Sequence, residues 1–239
     1  MGKNLIQQRS GKGSTSFTSP SFKSRGNACY HPQTLIALKG KIIDLVDSPG
    51  HSGPLMIIKY EDKQTSLIQA PEGVHVSQEV AMGDDAPLET GNILPLRAIP
   101  DGTSICNIEK VPGDGGCFVK SPGAAGRIAS KTEQGISVIL PSKKEHIFHP
   151  DCRATIGIVA GAGKNEKPFL RAGNKYFAIR ARNKVWPRSS GTSMNSVAHP
   201  FGGRSSHAKG HASTVSRDAP PGAKVGMIAA RRTGRKKLR

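Results

Sequence analysis

The sequence predicts a mainly β protein whose middle forms small barrels or a sandwich and whose two ends are basic extensions. Residues 34–160 contain short runs rich in Ile and Val, which favour half-buried strands. Turn-forming residues separate these runs at intervals of about 8–12 positions, as in barrels and sandwiches. No apolar repeat of helical period persists for three turns in this stretch.

Eight apolar runs mark the predicted strands in chain order: residues 35–46, 55–60, 65–69, 74–80, 103–111, 127–129, 136–140 and 154–160. Between them lie turn signals such as Ser48-Pro49-Gly50, in which Pro presets the backbone and Gly permits a left-handed conformation. A longer polar break at residues 82–87 divides the strands into two groups.

This break predicts four segments: a basic N-terminal extension over 1–33, a barrel over 34–84, a second barrel over 85–170 and a basic C-terminal extension over 171–239. Each barrel segment is long enough for about five strands, and an oligonucleotide-binding barrel followed by a second small barrel fits the lengths. One larger sandwich fits the apolar periodicity equally well.

The chain carries a large excess of positive charge, with 35 Lys and Arg against 17 Asp and Glu and a net charge of +18. The net charge is +5 over residues 1–33, −3 over 34–84, zero over 85–160 and +16 over 161–239. A surplus of this size indicates a polyanionic partner. The ends hold too few apolar residues to fold alone, so we expect them to become ordered against that partner; a disordered solubilising tail is the alternative.

The sequence contains no signal for a membrane or for export. No run approaches 18 consecutive apolar residues, and residues 1–4 lead into polar sequence instead of a secretory signal. We therefore expect a cytoplasmic protein without membrane contact. Its four Cys residues form no C-x-x-C pair, and we expect them to be reduced thiols.

Residues 175–188 alternate cations with aromatic side chains, including Tyr176 and Trp186. Cations neutralise phosphates while aromatic rings stack on unpaired bases, so the pattern favours single-stranded nucleic acid. The alternative is a helical or extended segment whose aromatic rings pack in a core. The last nine residues hold six cations, at spacings that suit backbone phosphates better than base edges.

Two patterns could indicate enzyme chemistry. His146, His149 and Cys152 have the spacing of three zinc ligands and would suit a metal-dependent hydrolase, but no Cys/His pair follows at zinc-finger spacing. Residues 161–164 resemble part of a phosphate-binding loop, but Asn165 occupies the position at which Ser or Thr would bind magnesium. We therefore predict neither a metal site nor nucleotide hydrolysis, and no enzyme.

Five groups of residues are specific enough to indicate a family: 91–96 with 99–103, 107–109 with 112–116, 152–157, 194–195 with 199–203, and 219–222 with 229–234. Over essentially its whole length the chain resembles the universal large-subunit ribosomal protein two, in its archaeal and eukaryotic form. The resemblance implies an oligonucleotide-binding barrel (OB-fold) followed by an SH3-like barrel, with long basic extensions buried in large-subunit ribosomal RNA.

The resemblance also implies a structural role in the cytoplasmic ribosome. The implied partners are large-subunit rRNA, other ribosomal proteins and the small subunit at the intersubunit face. The implied role includes support of subunit association and of the peptidyl-transferase region. No cofactor is implied, apart from structural magnesium ions associated with the RNA. A free RNA-binding chaperone is the alternative.

The family's loop near the peptidyl-transferase centre corresponds to residues 191–204, and its His corresponds to His199. The residue before this His is usually acidic in the family but is Ala198 here, and a usual third Gly is Arg204. We therefore expect the loop to pack on RNA without a neighbouring carboxylate that orients the imidazole.

The predicted RNA-binding residues combine the cations of both ends with this loop and the aromatic, basic segment. They are Lys3, Arg9, Lys12, Lys23, Arg25, Arg153, Lys164, Lys175, Arg180, Arg182, Lys184, Trp186, Arg188, Met194, Asn195, His199, Phe201, Gly202, Gly203, Arg204, Arg217, Arg231, Arg232, Arg235, Lys236 and Lys237.

Overall fold

The computed structural model describes residues 2–32, 37–133, 135–164, 166–204 and 213–231. The chain divides into two compact units. We call residues 20–168 the β unit, and we call residues 1–19 together with residues 169–239 the terminal unit.

Within the described residues, the β unit contains ten strands: β1 (Leu38–Val46), β2 (Leu55–Tyr60), β3 (Thr65–Gln69), β4 (Glu79–Met82), β5 (Ile93–Pro95), β6 (Ser104–Cys106), β7 (Gly126–Thr132), β8 (Gly135–Ile139), β9 (Glu145–Phe148) and β10 (Arg153–Ile156). They pair into one sheet in the order β3-β2-β1-β4-β5-β10-β6-β7-β8-β9. Short 3-10 helices lie at Ser21–Lys23, Leu96–Ala98 and Ala162–Lys164.

The first group of strands is centred on β1, which pairs antiparallel with β2 and β4, while β2 pairs with β3. Ile42, Met56, Ile58 and Ile68 are completely buried and pack with Val80 in one core cluster. Fully burying an aliphatic side chain of this kind contributes about 1.5–3 kcal/mol. These strands are therefore held by an apolar core of their own.

The second group of strands has a separate core, in which Leu96, Ile105 and Val138 are completely buried. Strands β5 and β6 pair antiparallel with β10, and β6 to β9 form an antiparallel meander. A short parallel contact between β4 and β5, with Met82 opposite Ile93, joins the two groups. Both groups therefore belong to one continuous sheet.

The mainly β prediction is confirmed, and β2 and β3 have the predicted bounds. The sequence does not signal β5 or β9, because β5 has three residues and ends in Pro, and β9 buries only Phe148. The strand predicted at 74–80 begins only at Glu79. Ser77 adopts a left-handed backbone with φ 75°, and the chain turns there before entering β4.

A buried ion pair connects β10 with the segment after β6. Glu109 is fully buried and Arg153 is 6% exposed. The Arg153 guanidinium donates from Nε and Nη2 to Glu109 Oε1, at 3.1 and 2.7 Å, and from Nη1 to the His31 carbonyl at 2.7 Å. The neighbouring Tyr30 hydroxyl donates to the Asn107 carbonyl at 2.6 Å, and burial raises the pKa of Tyr30. These bonds fix residues 30 and 31 against the second group of strands.

The terminal unit has little regular structure. Its described residues contain α1 (Ile6–Gly11), α2 (Ala172–Arg180), a 3-10 helix at Gly191–Ser193 and a parallel pair of two-residue strands, β11 (Thr214–Val215) and β12 (Met227–Ile228). Leu5 and Val225 are the only buried apolar side chains among them. None of the helices in the described part of the chain is both long and apolar enough to span a membrane.

Candidate nucleic-acid interface

The terminal unit is built by contacts between the two ends of the chain. The Lys3 backbone N–H donates to the Val197 carbonyl at 2.8 Å, and the Asn183 side chain donates to the Thr18 carbonyl at 2.8 Å. Between these bonds, the Gln8 side chain accepts from the Leu5 N–H at 2.9 Å and so caps the start of α1. The N-terminal segment is thus held against residues 183–197.

The C-terminal segment joins the same assembly through β11 and β12. Gly226, between Val225 and β12, has φ 82°, and a Cβ atom there would lie 3.0 Å from the Phe201 ring and closer still to the Ser213 carbonyl. Only a residue without a side chain permits this approach. The C-terminal strand pair therefore lies directly against the loop that contains His199.

All of the chain's net charge lies in the terminal unit. It holds 19 Lys and Arg and one acidic residue, Asp218, for a net charge of +18. The β unit holds 16 Lys and Arg and 16 Asp and Glu, for a net charge of zero. A concentration of one charge sign on one part of a protein is typical of nucleic-acid binding.

Most predicted RNA-binding cations are solvent-exposed: Lys3, Arg9, Lys12, Lys23, Arg25, Lys164, Arg180, Arg182, Lys184, Arg188, Arg204, Arg217 and Arg231. Of these, Lys23, Arg25 and Lys164 belong to the β unit, and the Lys164 ammonium donates to the Ser52 carbonyl at 2.9 Å. Predicted residues Arg232, Arg235, Lys236 and Lys237 lie outside the described residues.

The aromatic, basic segment folds as α2 and the turn that follows it. The Lys175 ammonium lies 5.3 Å from the centroid of the half-buried Trp186 ring, and the Arg180 guanidinium lies 6.0 Å from the Tyr176 centroid. Tyr176 is 40% exposed and Phe177 is 66% exposed. These two rings meet edge-on with centroids 5.4 Å apart and are not buried in a core, so part of each ring is exposed to a ligand.

The loop at residues 191–204 is closed by backbone hydrogen bonds. The Gly202 N–H donates to the His199 carbonyl at 2.8 Å, and the Gly203 N–H donates to the Met194 carbonyl at 3.1 Å. A Cβ atom at Gly202 would overlap the carbonyl oxygens of Met194 and Asn195. Close backbone packing therefore requires glycine at position 202, and a left-handed backbone with φ 104° favours it at position 203. Of the predicted loop residues, Asn195 is exposed, and Met194, His199, Phe201, Gly202 and Gly203 are half-buried.

The imidazole of His199 has a defined orientation. Its Nδ1 accepts the Phe201 backbone N–H at 3.0 Å, and its ring meets the Phe201 ring edge-on with centroids 5.2 Å apart. An acceptor role for Nδ1 places the proton of the neutral ring on Nε2. A Cβ atom at Gly191 would overlap the ring, so Gly191 makes room for it. The Phe201 backbone N–H thus orients the imidazole, a role that an acidic residue at position 198 would otherwise fill.

One predicted contact needs correction. Arg153 is buried, and its guanidinium is bonded to Glu109 and to the His31 carbonyl. Exposing it to RNA would leave the Glu109 carboxylate buried without its partner, which is energetically unfavourable. We therefore assign Arg153 a role in holding the β unit together and leave it out of the interface.

The residues weighed as metal ligands are not assembled. Cys152 is buried, whereas His146 and His149 are exposed. The His146 ring packs on Phe148, with centroids 4.6 Å apart. No group of three or more metal-ligating side chains comes together within the described part of the chain. Burial also raises the pKa of the Cys152 thiol to about 11, which disfavours the thiolate form that binds zinc.

Sequence reasoning missed a cavity beside His199. Ile6, Phe17, Val185 and Met194 line it together with His199, and all of them belong to the terminal unit. The only signal in the sequence was the presence of isolated apolar residues, Ile6 and Phe17, in an otherwise polar N-terminal segment. Their spacing alone gave no indication that they would meet Val185 and Met194, which are 168 to 188 positions away.

The chain combines a mainly β unit that has no net charge with a strongly basic terminal unit. This combination is typical of proteins that bind nucleic acids. Comparison with known proteins identifies the family. The model of the family described as "Ribosomal Proteins L2, C-terminal domain" matches residues 89–222.

Several full-length relatives are similar to this chain, each named large ribosomal subunit protein uL2. The protein of Methanocaldococcus jannaschii is 47% identical over 242 residues, covering 99% of this chain and 100% of the relative. That of Methanothermobacter thermautotrophicus is 44% identical with the same coverage, and that of Archaeoglobus fulgidus is 43% identical over 98% of this chain and 99% of its own. The chain therefore belongs to the uL2 family of large-subunit ribosomal proteins.

Proposed function

We propose that this chain is a structural, non-enzymatic constituent of the large ribosomal subunit that binds large-subunit rRNA, with the terminal unit as its main anchor. The proposal rests on one observation. The whole net charge of +18 lies in the terminal unit, whose described residues include only two buried apolar side chains. A polyanion supplies the counter-charges and contacts that this unit lacks.

The exposed cations of both ends neutralise phosphates, and the open rings of Tyr176 and Phe177 stack on unpaired bases. The phosphate contacts set position and affinity without reading base sequence. Other ribosomal proteins and the small subunit are further partners, and the protein resides in cytoplasmic ribosomes. Any magnesium ions are those that the rRNA itself binds.

For the β unit, we propose the finer description given by the family resemblance. Residues 34–84 correspond to an OB-fold barrel and residues 85–170 to an SH3-like barrel, between basic extensions at 1–33 and 171–239. With no net charge, the β unit recognises RNA shape through its turns and barrel faces. Support for this division comes from the two apolar core clusters, one built mainly from β1 to β4 and the other mainly from residues after 84, with Ile93 of β5 joining the first cluster.

The loop around His199 supports subunit association and the peptidyl-transferase region. His199→Ala should leave assembly of the large subunit intact and impair subunit joining or peptide transfer. Leu88→Ala is a suitable control, because Leu88 is 54% exposed and belongs to the β unit. Mutant particles that are fully active in both assays would remove this role from His199.

Removal of residues 205–239, which hold nine Lys and Arg and one Asp, tests the anchoring mechanism. The truncated chain should bind large-subunit rRNA more weakly and with a flatter dependence on salt, because it neutralises fewer phosphates. An unchanged salt slope would contradict anchoring. Sedimentation of cell lysate separates the proposal from a free RNA chaperone, since a chaperone would remain mostly outside the large-subunit fraction.

A further inference from the structure

A cavity of about 510 Å³ opens in the terminal unit. This volume lies within the range of about 300–1,000 Å³ that is typical of small-ligand sites. Its apolar lining comes from three parts of the chain: Ile6 in α1, Phe17, and the segment that contains Val185 and Met194. A flat apolar ligand could pack against these side chains.

The charged side chains that line the cavity are both cationic, and neutral polar side chains such as Gln7 and Asn183 line it as well. Lys184 and Arg188 line it, both are exposed, and no carboxylate is present among its lining residues. His199 also lines it, and the bond from the Phe201 N–H to Nδ1 leaves Nε2 as the hydrogen-bond donor of the neutral ring. The ligand must therefore combine an apolar face, a hydrogen-bond acceptor and a negative charge.

We propose that this cavity holds one unpaired nucleotide of the bound RNA. The base packs between the apolar side chains of Phe17 and Met194, and its phosphate lies near Lys184 and Arg188. A purely apolar ligand would gain nothing from the two cations, and a free inorganic anion would gain nothing from the apolar lining. The inference rests on the proposed function, since it assumes that the terminal unit binds RNA.

The charge of the unit indicates that the nucleotide belongs to a polymer. A net charge of +18 is far more than a single mononucleotide requires, and it concentrates RNA at the entrance. The nucleotide must also be unpaired, because a base within a duplex is stacked on both faces and cannot enter a cavity. Protein recognition of RNA bases commonly uses such unstacked nucleotides.

Base-specific chemical probing of large-subunit rRNA, with and without the full chain, tests the proposal. The wild-type protein should protect an unpaired base, and both Phe17→Ala, which removes a wall, and Val185→Phe, which narrows the cavity, should restore its reactivity. Leu88→Ala, which changes an exposed apolar side chain outside the cavity, should keep the protection. The two cavity variants should weaken rRNA binding by roughly 5- to 150-fold, the equivalent of about 1–3 kcal/mol per stacked base.

Protection that persists in both cavity variants would overturn the inference while leaving the proposed function intact. If the wild-type chain does not bind rRNA at all, the proposed function itself fails. A second measurement uses Trp186, the single Trp of the chain and the neighbour of Val185. Saturable quenching of its fluorescence by micromolar AMP would identify a site for free nucleotides and would overturn the assignment to RNA; no quenching at that concentration supports it.

Discussion

The β unit and the terminal unit achieve compactness by different means. The β unit has two cores with completely buried side chains such as Ile58 and Ile105, and its charges balance. Among the described residues of the terminal unit, only Leu5 and Val225 are buried apolar side chains, and its excess of 18 positive charges is self-repelling. The first unit is stabilised by its own apolar cores, whereas the described part of the second has little core, and a polyanion would neutralise its excess charge.

This difference explains why the two units present different kinds of surface. A unit that depends on burial must pair its charges inside, as Arg153 does with Glu109. A unit that depends on a partner keeps its cations and rings outside, as Arg182 and Phe177 show. Arginine can therefore serve either purpose: Arg153 pairs with a buried carboxylate, whereas Arg182 remains exposed.

The largest expected effect concerns the buried ion pair of the β unit. Glu109→Ala leaves the Arg153 guanidinium buried without its carboxylate, so the free energy of unfolding should fall by about 3–5 kcal/mol. Urea unfolding of the RNA-free protein, followed by circular dichroism, measures this loss. The double variant Glu109→Leu with Arg153→Met should recover most of it, because no unpaired charge remains.

Arg97→Ala is the matched control for that measurement. Arg97 bridges Asp84 and Asp151 but is 53% exposed, and an exposed ion pair contributes at most about 1 kcal/mol. Equal losses from Glu109→Ala and Arg97→Ala would mean that the β unit does not depend on internal pairing, and the contrast between the two units would lose its physical basis.

The next effect concerns exposed cations. Replacing Arg9 and Lys12 of the terminal unit by Ala should reduce the slope of log affinity for rRNA against log salt by about 1.4–1.8, or about 0.7–0.9 per lost phosphate contact. Replacing Lys143 and Lys144, an adjacent exposed pair in the β unit, should leave the slope unchanged. Equal changes in both variants would show that the RNA does not distinguish the two units.

Much of the fold could be predicted from the sequence, for an identifiable reason. Strands such as β2 and β3 bury most of their residues, so continuous apolar runs between turn signals mark both ends. The three-residue β5 is held by pairing with β10, about 60 residues later, and such a distant partner leaves no local pattern. The polar β9 is held by its hairpin with β8 and buries only Phe148, so it lacks an apolar pattern of its own. The helix α2 lacked a signal because none of its residues is buried.

The composition of the chain ends predicted where the candidate site lies, but it did not predict how the residues of the site are arranged. Clustered cations and aromatic rings predicted an interface in the chain ends, and the family resemblance added the loop at residues 191–204. Two features of the molecule could be recognised only from the tertiary structure. The burial of Arg153 depends on Glu109, which is 44 residues away, and the cavity depends on contacts between opposite ends of the chain.

The smallest expected effect concerns the turn at residues 113–116 of the β unit. There the Asp114 carboxylate accepts hydrogen bonds from residues only two to four positions away. Burial alone would raise the pKa of Asp114, but the backbone N–H groups of Gly116, Lys110 and Val111 and the Cys117 thiol donate to its carboxylate, and the net effect is to lower the pKa. A lowered pKa in the folded state means that the carboxylate adds stability above the ordinary Asp pKa of about 3.9, and that this stability is lost as the pH falls through the folded value.

Wild-type protein should therefore have a slightly higher urea midpoint than Asp114→Asn at pH 5–7, and this difference should shrink as the pH is lowered below about 4. Asp101→Asn is the control for loss of an exposed carboxylate to which no described residue donates a hydrogen bond, and its urea midpoint at pH 5–7 should match that of the wild type. If the difference in urea midpoint between the wild type and Asp114→Asn grew as the pH fell, the folded state would not lower the pKa of Asp114. The turn would then owe its shape to the left-handed glycines Gly113, Gly115 and Gly116 alone.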